Sequence, residues 1–451
     1  MSSMRRKRAM PGHSNNDQRG IVILLVAVVM LFVVGAMAAL SIDVATLYTA
    51  RSEAQLAADA AALAAARVLA NSGLTSSAAG PIAAEGLART IATQVAASNP
   101  VGGRNLSASG TCTPGAEISI CFNNGLSTFI TNPQVTVTVL RTDLPTFFAR
   151  IWGRTQLAVT ASATAEAYNP SNAAGISGFS RAPVAPACVK PWLLPNLDPS
   201  GGTTIFSATT GDITNPALLG WTYNNPAVGG KPMTPACTTG GGDCSGGLPA
   251  PTPWSYYPGA DDAASFPPPT YSLPTCTPAL TTAYQQSIAG CVETPIACNS
   301  NTVSIDVNPY PGSRNVDTTI AVNCLTHATA TLGDADEVDP AGGTPPIPPF
   351  QFLAGAQNPV AGARGKDVMV SSSLVTVPVF DATTATPPPS PVQIVGFVQL
   401  FLNPDGLATP VPGNVDATII NMAGCGTAIT GPPILGNGAS PVVVRLISSA
   451  P

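Results

Sequence analysis

Side chains able to carry chemistry are few in this 451-residue sequence. His13 and His327 are its only histidines, which leaves His-based triads and His-rich metal centres close to excluded. Cys324 stands three residues before His327, a spacing that could set a thiol beside a base for nucleophilic attack. The densest acidic run is Asp334, Asp336, Glu337 and Asp339, whose oxygens are the ligand type Ca²⁺ prefers. It lacks the spacing and glycine of an EF-hand loop and reads as a solvated acidic loop. No G-x-S-x-G elbow, H-E-x-x-H pair or P-loop occurs. The expectation is a protein with no catalytic centre, no metal and no cofactor.

Cysteine chemistry points elsewhere. The ten cysteines are Cys112, Cys121, Cys188, Cys237, Cys244, Cys276, Cys291, Cys298, Cys324 and Cys425. An even number, all beyond residue 100, reads as disulfides in an oxidising compartment. A bridge is then the expected state of Cys324, rather than a thiolate. Local pairs that fit the spacing are Cys112–Cys121, Cys237–Cys244 and Cys291–Cys298, but spacing does not fix connectivity. No C-x-x-C occurs, so neither a zinc ribbon nor a thioredoxin-like motif is supported.

The element that would carry these cysteines out of the cytoplasm lies at the N-terminus. Residues 1–19 hold five basic residues against Asp17, a net +4, and the total of −5 leaves −9 for residues 20–451. That acidic bulk argues against nucleic-acid binding. Ile21–Ile42 is a 22-residue run without a charge, and about 20 such residues cross a bilayer as a helix. Basic residues before it and Asp43 after it place the N-terminus in the cytoplasm and the rest outside. Two processed forms compete: a signal peptide cut near Ala36-Met37-Ala38, and a prepilin-type leader cut after Gly20. Type IV pilin-like chains usually carry Glu five residues after that cut, where this chain has Leu25.

The next stretch, residues 43–73, is built for helix. Nine of the thirteen residues from Ala54 to Ala66 are Ala, the strongest helix former, and Gly73 is the first stop signal. Leu40, Leu47, Ala54, Ala61 and Val68 recur every seven residues, a narrow stripe of small side chains suited to close helix approach. The stripe can pack on the chain's own domain or on similar helices, so self-association is one expectation.

These residues resemble the N-terminal module of TadG-like proteins of the Tad (tight adherence, Flp) pilus-assembly system. The likeness rests on Arg19-Gly20, Asp43, Tyr48, Arg51, Gln55, and Ala58-Asp59-Ala60-Ala61-Ala62-Leu63-Ala64-Ala65-Ala66. Ala45 and Ala54 replace the family's Gly and Leu, and neither change breaks a helix. The resemblance implies that Gly20, Asp43, Tyr48, Arg51, Gln55, Asp59 and Leu63 serve assembly or helix packing. Asp59 reads either as a solvated carboxylate or, if the helix packs in a bundle, as the partner of Arg51 in a neighbouring copy or of another assembly subunit. Some TadG-like proteins carry a von Willebrand A domain with a D-x-S-x-S metal motif; that motif is absent here.

The expected fold class is α+β. A basic leader (1–19), a transmembrane helix (20–42) and an Ala-rich stalk helix (43–73) precede a small α+β membrane-proximal unit (74–168). A linker (169–187) and a β-rich, loop-rich, disulfide-containing exported domain (188–451) follow. The proximal unit reads as a helix over Ile82–Ala97 and strands over Glu117–Phe122, Val135–Leu140 and Leu157–Ala167. Between the last two, Leu144-Pro145-Thr146-Phe147-Phe148-Ala149-Arg150-Ile151-Trp152-Gly153 reads as a short helix ended by Gly153, whose aromatics pack in the core. Cys188-Val189-Lys190-Pro191-Trp192 is similar to K-P-W segments of longer family members and is assigned no chemistry. Strands are expected at Val303–Val307, Thr318–Asn323, Val368–Val370, Leu374–Phe380, Val392–Leu402, Thr418–Asn421 and Val442–Ile447, with Val392, Ile394, Val398, Leu400 and Leu402 on one face and a bulge at Gly396. By resemblance, the protein is a membrane-anchored pilus-assembly scaffold or minor pilin-like subunit that binds other Tad proteins or pilins. The alternative is a surface-exposed adhesin with a cleaved leader.

Overall fold

No proline stands between Pro11 and Pro81, and the run between them folds as one helix, α1 (Asn16–Asn71), about 84 Å long. The computed structural model describes residues 16–451 except 77–80, 108, 124–131, 173–180, 222–231, 239–240, 274, 292, 328–333, 339–347, 369, 384, 404–410, 437–439 and 448–451. For 16–20, 81–83 and 151–152 it describes the backbone alone. The basic leader up to residue 15, and Asp339, lie outside the described residues. Ile21–Val34 is exposed on every side, as a lipid-facing helix must be. Gly73 ends the second half of the helix with φ of +80°, and a Cβ there would meet the Phe350 ring at 2.8 Å.

Beyond Asp43 the helix lies on a sheet. Helix α2 (Pro81–Ser98) and strands β1 (Ile118–Phe122), β2 (Gln134–Pro145) and β3 (Gln156–Tyr168) follow in sequence. The antiparallel pairs β1–β2 and β2–β3 set Val139 opposite Ile118 and Val137 opposite Ala163. The inner sheet face is Val135, Val137, Val139, Ala161, Ala163 and Ala165. Small residues on both sides let the backbones approach. Ala54, Ala57, Ala58, Ala61, Ala62, Ala65 and Ala66 of α1 are fully buried there, with Ala84, Ala88, Ala92 and Ala96 of α2. From Leu47 to Val68 the heptad stripe therefore packs in the chain's own core, while Leu40 stays exposed.

The distal unit begins with β4 (Val184–Ala185), β5 (Trp192–Pro195), β6 (Thr234–Pro235) and β7 (Ser255–Pro258), then α3 (Ala283–Ala289) and α4 (Arg314–Leu325). Strands β8 (Glu337–Val338), β9 (Phe352–Leu353) and β10 (Asp367–Val368) form a small antiparallel layer. Then come β11 (Leu374–Phe380), β12 (Ile394–Leu402), β13 (Ala417–Gly424), β14 (Ile434–Leu435) and β15 (Val443–Ile447). The main sheet runs β13-β12-β11-β5-β7-β6. Every residue of β11, β12 and β13 is buried, so these strands are covered on both faces.

Several expectations are corrected. Thr318–Asn323 is helical, inside α4: the Ser313 hydroxyl caps it by accepting from the Val316 amide, and Asp317 stands in its first turn. In β12, Val379 pairs with Gly396 but Phe380 pairs with Ile394, so Val395 is an extra residue that flips the side-chain parity. Val392 and Ile394 consequently join the Phe397 cluster, while Val398, Leu400 and Leu402 join the opposite one. Within the segment read as a linker, Asn169 is fully buried and β4 pairs in parallel with β14. The unit boundary is also crossed, because β15 returns to the proximal sheet, Val444 opposite Ala167 and Leu446 opposite Ala165.

A buried polar joint fixes the stem to the distal sheet. Asn421 donates to the Ala70 carbonyl (2.6 Å) and to Gln399 Oε1 (2.7 Å). Asn169 donates to the Thr75 and Met422 carbonyls (3.1 and 2.9 Å), and the Met422 amide donates to Ser76 Oγ (2.9 Å). Disulfides Cys112–Cys121 and Cys237–Cys244 close short loops. Cys291 and Cys298 are not bridged to each other; the pairs are Cys188–Cys291 and Cys298–Cys425, with Cys276–Cys324 completing the set. The Cys298 amide donates to the Val184 carbonyl and that of Asn299 to Ile394, which draws Cys298 towards the end of β13 and away from Cys291.

Lys190, two residues from Cys188, is buried and donates to the Gly290 carbonyl. Desolvation pushes its ammonium down to about 7. The unfolded chain binds that proton up to the ordinary lysine range, so stability rises with pH above about 7, by up to roughly 1.4 kcal/mol per unit. Urea titrations at pH 7 and pH 9 should show the wild-type midpoint rising, and Lys190→Met should be more stable at pH 7 with a flatter profile. Parallel profiles would refute this account of Lys190.

Candidate functional site

Burial of the alanine face leaves a defined remainder. At about 100° per residue, Val44, Tyr48, Arg51 and Gln55 fall within about 60° of one another on α1. All four are exposed, Tyr48 at 74%. Ser52 and Leu56 are exposed beside them, Leu56 at 64%. An aromatic ring, a guanidinium and an amide thus stand exposed at successive turns.

The other residues of the motif face inward or sideways. Asp59 accepts from Gln55 Nε2 at 2.7 Å, one turn away, and the same amide donates to the Ser162 carbonyl of β3 at 3.3 Å. Asp59 is thus paired within its own helix. Leu63 is half-buried against the proximal core. Gly20 lies within α1. Ala54 and Ala61 sit in the chain's own core, so a bulky side chain there would disturb folding before assembly.

Asp43 is the most constrained of the set. Only 3% exposed, its carboxylate accepts from the amides of Phe147 (2.9 Å), Phe148 (3.1 Å) and Ala149 (2.7 Å). These amides open the 3-10 turn Ala149–Trp152 at the tip of the β2–β3 hairpin. Nothing in the spacing of residues 43 and 147 announces this contact, since it spans 104 positions. Phe147 is 61% exposed, so the aromatic segment is not wholly core as the sequence suggested. Higher up, Glu53 accepts from the Gly102 amide at 2.6 Å and holds the 101–104 turn to the same helix.

The chemical candidates resolve differently. Cys324 is bridged to Cys276, which removes the thiol from the Cys324–His327 pair. Asp336 is buried rather than solvated: it accepts from the Gly355 amide (2.9 Å), Asn358 Nδ2 (2.9 Å) and Ser371 Oγ (2.6 Å), organising the β8–β10 layer. Among the described residues no three His, Cys, Asp or Glu side chains converge as a metal set.

Amide donors, that of Phe147 foremost, hold the Asp43 carboxyl below its ordinary value. Its contribution is present above the ordinary carboxylate range and lost as pH falls through the lowered value. Asp43→Ala should cost about 1–3 kcal/mol at neutral pH, because three amides lose their acceptor. The gap between wild-type and variant thermal midpoints should narrow from pH 5 towards pH 2; a gap constant with pH would show that the carboxylate charge is not what holds the hairpin.

Residues 20–68 match the Tad family model, described as Flp pilus-assembly TadE/G-like. No curated protein and no solved structure matches the chain. The matched span covers the apolar run, Asp43, the outward stripe and most of the buried alanine face. Residues 20–68 are thus a Tad domain of the TadE/G-like Flp pilus-assembly kind, and the chain that carries it is a pilus-assembly-related protein with a candidate membrane-anchoring helix.

Proposed function

We propose that this protein is a bitopic inner-membrane scaffold of Tad/Flp pilus assembly that works by protein–protein recognition, not by catalysis. The observation that carries the reading is the division of α1. Its alanine face is consumed by the chain's own sheet, whereas Tyr48, Arg51 and Gln55 of the family-matched segment face outward. Side chains kept exposed on a rigid stalk next to the bilayer are placed to meet other anchored assembly components or pilins. Arg51 supplies a planar cation and Tyr48 an amphipathic ring, both favoured at protein interfaces. The basic leader puts the N-terminus in the cytoplasm. Five bridges on the other side of the span agree with an oxidising compartment. The scaffold role is favoured over a fibre subunit because the large distal unit is fixed to the stem by the joint at Asn421. Parallel packing of such stems would have to accommodate that head.

A Tyr48→Ala/Arg51→Glu variant should lose co-purification with pilus components several-fold and lower piliation, with its thermal midpoint unchanged. Ala58→Leu should instead lower the midpoint, because Ala58 is fully buried. Normal piliation and unchanged co-purification in the stably folded double variant would sink the proposal.

A further inference from the structure

The β2–β3 hairpin runs down α1 towards the end of the apolar run. Gln55 touches the hairpin at Ser162, and Asp43, twelve residues and about 18 Å nearer the span, holds its tip at Phe147–Ala149. Asp43 is the first residue after the uncharged run Ile21–Ile42. The hairpin tip is therefore pinned at the level where the helix leaves hydrocarbon.

The tip has the composition of a bilayer interface. Leu144–Thr155 contains Phe147, Phe148 and Trp152, the cations Arg150 and Arg154, and no acidic residue. Phe147, Arg150 and Arg154 are exposed. No ion pair among the described residues uses either arginine. The loop is rigid rather than trailing: Thr146 Oγ1 donates to the Arg154 carbonyl (2.6 Å), the Arg154 amide donates to Ala149 (3.1 Å), and Gly153 closes the turn in the left-handed conformation. A groove of about 420 Å³, lined by Ala45, Leu47, Ala50, Leu144, Phe147 and Leu157, opens beside it at the same level. Aromatic rings and arginines at this depth favour the headgroup layer, and exposed cations favour anionic lipids.

We propose that the 146–154 hairpin tip is a foot seated in the headgroup layer of the bilayer that α1 crosses, with Phe147 buried among headgroups and Arg150 and Arg154 on anionic phospholipid. A second contact away from the helix axis would fix the tilt and rotation of the stalk, which one helix cannot do. The outward face of Tyr48 and Arg51 would then be presented in a set direction along the membrane plane. The inference rests on the reading of Ile21–Ile42 as a span, and the test separates the two.

All ten cysteines are bridged, so one introduced cysteine gives one labelling site. Full-length protein with Met30→Cys, Phe147→Cys or Thr160→Cys would carry a nitroxide in vesicles of phosphatidylcholine and phosphatidylglycerol. Collision with oxygen and with an aqueous nickel chelate reads depth. The label at 30 should sit in hydrocarbon, that at 160 in water, and that at 147 at the headgroups, several-fold less accessible to nickel than at 160. Adding Arg150→Glu and Arg154→Glu should return the label at 147 towards water on these vesicles. If 147 matches 160 while 30 lies in hydrocarbon, the foot is overturned and the anchor stands. If 30 is in water, the anchor fails and the foot with it. A label at 147 protected equally in the double-Glu variant overturns the anionic-lipid part.

Discussion

The structure depends on how closely α1 can lie on its own sheet. Seven alanines of α1 are fully buried in the contact, and the sheet answers with alanines and valines. Alanine loses no side-chain entropy on burial and favours helix, so one residue type serves propensity and packing together. Tyr48, Arg51 and Gln55 stand on the lower part of the helix, where the same angular stripe that is buried at Ala58 and Ala62 is left exposed.

Much of this was legible locally. The uncharged run, the alanine stretch and Gly73 locate α1 to within a few residues, and the alternation in residues 135–139 and 159–165 gives the hairpin and its inner face. What escaped was contact between distant positions. The tie of Asp43 to residue 147, the pairing of β15 with β3, and the bridges Cys188–Cys291 and Cys298–Cys425 leave no local trace, because each depends on where the whole chain has been led. Two local errors have local causes. Thr318–Asn323 is rich in β-branched residues, yet the Ser313 cap and packing hold it as helix. The run 392–402 alternates on paper, but one bulge exchanges its faces. Asp43 was picked out by the family resemblance; its physical task, to seat a hairpin by its amides, was not.

The joint between stem and distal unit is polar and buried. Asn71, Ser72, Thr75, Ser76, Asn169, Gln399 and Asn421 are all buried, and Asn421 spends its donors on Ala70 and Gln399. Such a network tolerates little misfit, since each donor left without an acceptor is costly in a low-dielectric interior. It holds one geometry where an apolar contact of the same area would permit sliding. Stem and head therefore form one lever, and a force or ligand on the distal sheet would be felt at the base of the helix.

The return of β15 to the edge of β3 has a consequence for synthesis. Residues 43–168 emerge first and hold nearly everything the proximal core needs, but the strand that covers β3 lies 275 residues after Tyr168, at Val443. Until it arrives, β3 offers an open edge to any neighbouring strand. Pairing so far apart in the chain is slow to form. The nascent protein thus passes through an interval, set by the time needed to complete the distal unit, in which the edge of β3 is open to mispairing. Premature termination anywhere in the head would leave that edge without its closing strand.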